Sequence, residues 1–282
     1  MKRWVSCALA ALVFATPVMA ENPPEWSQPI RPFKVAGPTW YVGTRGLAAY
    51  AVVTHDGTIL VGGPMEDAAG QVKRNLRAIG VQPHQVKWIL NSHAHFDHAA
   101  AFADLRQWSG AKLAASAGDA NALRRGRHAA DNDNGFTRFP AVPVDRIVRD
   151  GERVRVGAVA ITAVLTPGHT AGCTTWTLPI VDAGRSLQVV FPCSITVAGN
   201  HLLANRGYPG IAADYRRSFA RLGAMRADIV LPMHPELADV LGRAARRDGG
   251  ATQAFVDPTL LPRIVAEARV DYATALNTQR KH

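Results

Sequence analysis

Between Asn91 and His98 the chain reads Asn91-Ser92-His93-Ala94-His95-Phe96-Asp97-His98, which places three imidazoles and a carboxylate within six residues. Neutral imidazole and carboxylate are ligands for zinc and its first-row neighbours, so the chemistry these residue types offer is metal binding. His93 and His95, two apart, can point the same way from an extended segment, while Asp97 and His98 lie past a turn and aim elsewhere. That spacing favours two adjacent metal positions over one closed site. A lone histidine is ordinarily a surface or core residue, but four such groups together are hard to reach by accident.

The elements around this stretch must hold it at a strand-to-helix turn. Residues 86–90, Val-Lys-Trp-Ile-Leu, read as a buried strand, and residues 98–105 as a helix start. Before them, 21–38 is a proline-rich extended arm, 40–43, 48–53 and 58–61 are strands with a turn at His55-Asp56-Gly57, and 65–79 is a helix stopped by Gly80. After them, 112–115 is a strand and 117–125 a short helix. A polar loop, 126–141, flanks the site, and its His128 reads as a solvated histidine rather than a ligand. Strands follow at 146–156, 158–164, 187–191 and 228–231, with helices at 211–225 and 260–275. His169 lies in the turn Thr166-Pro167-Gly168-His169-Thr170, just past a strand end, and His234 sits similarly after 228–232. Either alone could be a satisfied loop histidine. Beside the first cluster, their positions make both candidate ligands.

With 282 residues, 48% hydrophobic and 19% charged, the chain suits one large α/β domain and no repeat array. Met1-Lys2-Arg3-Trp4, an apolar run from 5 to 14 and the small residues before Ala20 read as a signal peptide over 1–20. The expectation is therefore export to the periplasm, with no membrane span in the mature form because the apolar run is too short to cross. Lys2 and Arg3 leave with that segment and no acid does, so the net charge falls from +10 to +8. The arginines are scattered without aromatic interleaving, which argues against a nucleic-acid partner; a monomer is expected. Cys173 and Cys193 could pair in an oxidising compartment, but spacing alone leaves that open.

The run His-x-His-x-Asp-His after an apolar strand resembles the metal motif of the metallo-β-lactamase superfamily. The resemblance implies an α/β fold, an αββα sandwich of two mixed β-sheets flanked by helices, filled here by a catalytic domain over 39–282. It implies two Zn2+ ions, the first held by His93, His95 and His169, the second by Asp97, His98 and His234. Three protein ligands leave an open position, as catalytic zinc requires. Glyoxalase-type thioesterases and lactonases of the superfamily place a bridging aspartate where this chain runs from Phe191 to Asn200 with no carboxylate. The chain instead resembles the third subclass of true metallo-β-lactamases, also through 168–176 and 214–219.

That resemblance implies hydrolysis of the β-lactam amide bond of penicillins, cephalosporins and carbapenems by zinc-activated water, conferring resistance. Asp97 would orient the attacking water, and Ser194, Thr196 and Asn200 would contact the substrate. Two departures stand out. Val61 occupies a place where the superfamily often has a supporting aspartate, and Cys193 one where an aspartate is common, which makes Cys193 a rival ligand. The alternatives are a lactonase or esterase of the same fold, and a non-catalytic metal- or nucleic-acid-binding protein.

Overall fold

The computed structural model describes residues 22–128, 131–133 and 137–281. The expected signal peptide and parts of the 126–141 loop lie outside them. Four short segments, β1 (Phe33–Ala36), β2 (Thr39–Tyr41), β3 (Tyr50–Thr54) and β4 (Gly57–Val61), pair antiparallel in chain order through tight connections. Beyond β4 the pairing turns parallel, and parallel neighbours need crossovers. Helix α1 (Ala69–Ala78) carries the chain to β5 (Val86–Leu90), α2 (Phe96–Ala99) and α3 (Phe102–Ser109) to β6 (Lys112–Ser116), and α4 (Ala117–Arg125) to β7 (Arg146–Val148).

The second sheet runs antiparallel through β8 (Arg153–Val156), β9 (Val159–Leu165), β10 (Thr174–Asp182) and β11 (Arg185–Phe191). After α5 (Ile211–Gly223), β12 (Ile229–Val230) joins β11 in parallel, and α6 (Val240–Asp248) and α7 (Leu260–Gln279) close the chain. Both sheets are therefore mixed. No described helix is long and apolar enough to cross a membrane.

Side-chain parity assigns the two cores. Tyr50, Val52, Ile59, Val61, Leu90 and Ala114 of the first sheet meet Trp176, Leu178, Val189 and Phe191 of the second, and the same core runs on to Phe219, Leu261 and Val265 of α5 and α7. The intervening residues Ala51, Leu60, Ile89, Leu113 and Ala115 face Val72, Leu76, Phe102, Leu105 and Leu123 of α1, α3 and α4. Strands buried on both faces read as continuous apolar runs, and β4 is buried throughout, as is β5 at Val86, Ile89 and Leu90, while Lys87 of β5 is exposed.

Three stretches differ from the reading of the sequence. Residues 146–156 are two strands, not one. The turn at Asp150-Gly151 sends β7 into the first sheet and β8 into the second. The strand β10 has no counterpart among the expected strands, and Pro179 lies inside it. It is tolerated there because Thr177 is the last residue that β9 pairs with, so the proline sits beyond the doubly paired part. Within the proline-rich arm, Phe33–Ala36 forms the edge strand β1, and Pro24–Trp26 winds into a 3₁₀ turn.

Candidate metal centre

The site lies where the strand ends of both sheets meet. Trp176 is fully buried in β10 and donates its indole N–H to Asn91 O at 2.9 Å, while Thr174 N donates to Ser92 O at 2.8 Å. The two residues before His93 are thus fixed to the opposite sheet. His234 follows β12 in an equally anchored segment: Tyr50 Oη donates to Pro232 O at 2.8 Å and Ala48 N to Met233 O at 2.8 Å. His169 leaves β9 through Gly168, whose φ of +142° suits glycine; a Cβ there would lie 2.9 Å from Tyr215 Cγ.

Hydrogen bonds select which nitrogen each imidazole presents. His169 Nδ1 donates to Thr196 O at 2.7 Å, which leaves Nε2 free. His93 Nδ1 contacts Ser92 Oγ at 3.2 Å, and its Nε2 is buried with no hydrogen-bond partner. His95 Nε2 lies 2.9 Å from His128 Nδ1, so His95 has Nδ1 left. One ligand atom each of His93, His95 and His169 lies within 4.8 Å of the others. A buried orphan nitrogen costs free energy unless something fills its lone pair, and a metal ion does so.

The second trio is tighter. Asp97 Oδ2 lies 3.0 Å from His98 Nε2 and 3.4 Å from His234 Nε2, and those two nitrogens are 3.1 Å apart. Donors on a tetrahedral zinc with bonds of about 2.0–2.1 Å sit roughly 3.3 Å apart, so this triangle is the right size. The rings of His93 and His98 are 4.4 Å apart by centroid, which makes the two positions neighbours.

Electrostatics differ between the trios. Burial, reinforced by neighbouring imidazoles, holds His93 and His95 well below 6.5, and burial pulls His169 down to about 4. Burial works against ionised Asp97 too, but His98 and the hydrogen bonds from His234 and His98 outweigh it and hold the carboxyl well below its usual range. For His234 burial is again opposed, by Asp97 and Glu236, and its pKa rises to about 9.

A buried carboxylate that the sequence reading overlooked braces the cluster. Asp119, on α4, accepts from Ala94 N at 2.9 Å, Asn91 Nδ2 at 3.1 Å, Thr170 Oγ1 at 3.1 Å and Gly172 N at 3.1 Å. It therefore ties the segments carrying His93, His95 and His169 to one anion. Burial lifts its pKa to about 6 against those four donors. With this anion present, Val61 is simply a residue of the inter-sheet core. The only sequence signal for Asp119 was an acid in the first turn of a short helix, which ordinarily marks a dipole contact.

Ser194 and Thr196 line the cleft beside His169 and His234, with their hydroxyls 3.1 Å apart. Asn200 does not. It is fully buried, donating to His169 O at 3.0 Å and Tyr215 Oη at 3.3 Å and accepting from Asn132 Nδ2, so it holds the His169 turn instead of facing a ligand. Cys173 and Cys193 form a disulfide with Cα atoms 5.7 Å apart, which removes the free thiolate that a Cys193 ligand would need. His128, expected to be solvated, is buried against His95. The cleft has a volume of about 270 Å³, and Trp26 forms one wall, its ring 5.5 Å from that of His234.

Residues 42–234 match the family model of the metallo-beta-lactamase superfamily. The chain belongs to this superfamily. The histidine cluster that could hold a metal ion lies within the matched residues. Among solved structures the chain is similar to BJP-1, a subclass B3 metallo-beta-lactamase of Bradyrhizobium japonicum, at 37% identity and a TM-score of 0.87, covering 92% of this chain and 98% of that one. It is similar also to FEZ-1, the metallo-beta-lactamase of Legionella gormanii, at 36% identity and a TM-score of 0.85, covering 91% and 99%. Among curated proteins it resembles a hydroxyacylglutathione hydrolase of Cereibacter sphaeroides, 29% identical over 64% of this chain and 60% of that one. The chain spans about 40 to 60% of the length of the first curated relatives it matches.

Proposed function

We propose that the protein is an exported, monomeric zinc β-lactamase that opens the cyclic amide of β-lactam antibiotics and so confers resistance to them. The observation that carries this reading is the end of β11. It sets two hydroxyls, Ser194 and Thr196, beside both trios and offers no carboxylate from Phe191 to Asn200. The similarity to the two β-lactamase structures supports it over nearly the whole length of both chains.

In this reading His93 Nε2, His95 Nδ1 and His169 Nε2 hold one zinc, and Asp97, His98 and His234 the other. Bound there, the ions supply an activated water and polarise the amide carbonyl. The chain's own groups do the rest. Asp97 keeps one carboxylate oxygen for the metal position and can accept a hydrogen bond from the attacking water with the other. Ser194 and Thr196 donate to the carboxylate that a β-lactam carries on its second ring. Trp26 and Phe96 cover the apolar side of the cleft and exclude bulk water. No covalent acyl-enzyme is needed, so no serine nucleophile is assigned.

The hydroxyacylglutathione hydrolase relatives favour a second reading, hydrolysis of a thioester. A panel decides between them: kcat/KM for a carbapenem, a chromogenic cephalosporin, a glutathione thioester and an acyl lactone, all on one zinc-loaded preparation. The β-lactamase reading expects both β-lactams to be turned over at least about 100-fold more efficiently than the thioester, a difference of about 2.7 kcal/mol. The reverse order transfers the assignment to the thioester.

A further inference from the structure

Each imidazole assigned to the first metal position has its second nitrogen held from outside. For His93 the holder is Ser92 Oγ, and for His169 the backbone oxygen of Thr196. For His95 it is a side chain to which the family resemblance gives no role. His128 Nδ1 lies 2.9 Å from His95 Nε2, with the rings 4.3 Å apart by centroid and at 70° to one another. His128 is only 8% exposed, although it belongs to a polar loop. It is driven inward by Gly126, which ends α4 at a φ of +62° and lets Phe139 O approach so closely that a Cβ would stand 2.2 Å from it. A single hydrogen joins the two rings, so one is donor and the other acceptor.

We infer that His128 is a positioning residue for the metal ligand His95. His95 donates Nε2–H to His128 Nδ1, and this bond fixes the tautomer in which His95 Nδ1 faces the metal. Ligand imidazoles are oriented in this way by a partner on their other nitrogen, and loss of such a partner weakens metal binding about 10- to 100-fold. His128 then carries its own proton on Nε2, the buried nitrogen that has no protein partner. The inference rests on the metal reading above but not on the identity of the substrate.

The test is zinc affinity, measured by competition with a chromophoric chelator, for the full protein and for His128→Ala and His128→Asn. The asparagine amide oxygen stands the same number of bonds from the backbone as Nδ1 and can accept the same hydrogen. The expected result is a loss of about 10- to 100-fold for the position assigned to His93, His95 and His169 in His128→Ala and recovery of most of it in His128→Asn. Long-range proton–nitrogen NMR of zinc-loaded protein should show His95 metal-bound at Nδ1 and protonated at Nε2. Unchanged affinity in His128→Ala, or His95 bound through Nε2, overturns the inference. Coupling of cadmium-113 to a His128 ring nitrogen also overturns it, since His128 would then be a ligand itself. If the wild-type chain binds no zinc, the metal reading falls with it, an outcome recognised because no variant then differs.

Discussion

Burial dominates at the first trio, whereas Asp97 and Glu236 outweigh it at His234, so the two trios behave differently toward protons. His234 in the metal-free protein keeps a proton up to about pH 9, whereas burial leaves His93 and His95 neutral at pH 7. A metal entering the Asp97–His98–His234 position must displace that proton; one entering the other position displaces none. Zinc affinity of the second position should therefore rise between about pH 7 and 9, by up to about tenfold per pH unit, while that of the first stays level. Calorimetric titration in buffers of differing ionisation enthalpy reads this directly, and identical pH dependence at both positions contradicts it. Asp119 carries a second residue-scale prediction. All four of its contacts are donors, so Asp119→Asn turns one amide hydrogen against another donor. A loss of about 1–3 kcal/mol in urea unfolding is expected, together with weaker zinc binding.

At the scale of elements, the disulfide joins the start of β10 to the end of β11, the strand ends that flank His169 and Ser194. Closing a loop with a sequence separation of 20 residues stabilises by about 3 kcal/mol in the chain-entropy account. Cys173→Ser with Cys193→Ser should lower the melting midpoint by several degrees, and reductant should then have no further effect; a melting curve unmoved by either change refutes this. The same elements show what the sequence could and could not disclose. The candidate ligands were legible because they are chemically rare side chains at the ends of strongly apolar strands such as Val86–Leu90. Asp119, His128 and Trp26 were not, since each reaches the site through tertiary packing that no local period encodes. Asn200, named as a substrate contact only through the family resemblance, is instead buried and holds the His169 turn, a packing role that a resemblance in sequence does not disclose.

At the scale of the molecule, the two sheets pack on a shared core, and the N-terminal segment reaches the cleft at their strand ends. Thr44 Oγ1 donates to Trp26 O at 2.7 Å and Gly46 N to Glu25 O at 2.8 Å, which pins Trp26 beside His234. An aromatic wall of this kind contributes about 0.5–1.5 kcal/mol, so Trp26→Ala should raise KM by up to roughly tenfold while zinc content stays unchanged. A fall in zinc content instead would place Trp26 in the metal frame rather than in the substrate wall.

The most direct test of the zinc β-lactamase proposal strips the protein of metal and records carbapenem hydrolysis as zinc is added back, with bound zinc counted at each point. No turnover is expected without zinc, then a rise that follows occupancy to two ions per chain, and none at any zinc concentration in His95→Ala or His234→Ala. A zinc-saturated wild-type chain that leaves the carbapenem and a cephalosporin intact would contradict the proposal.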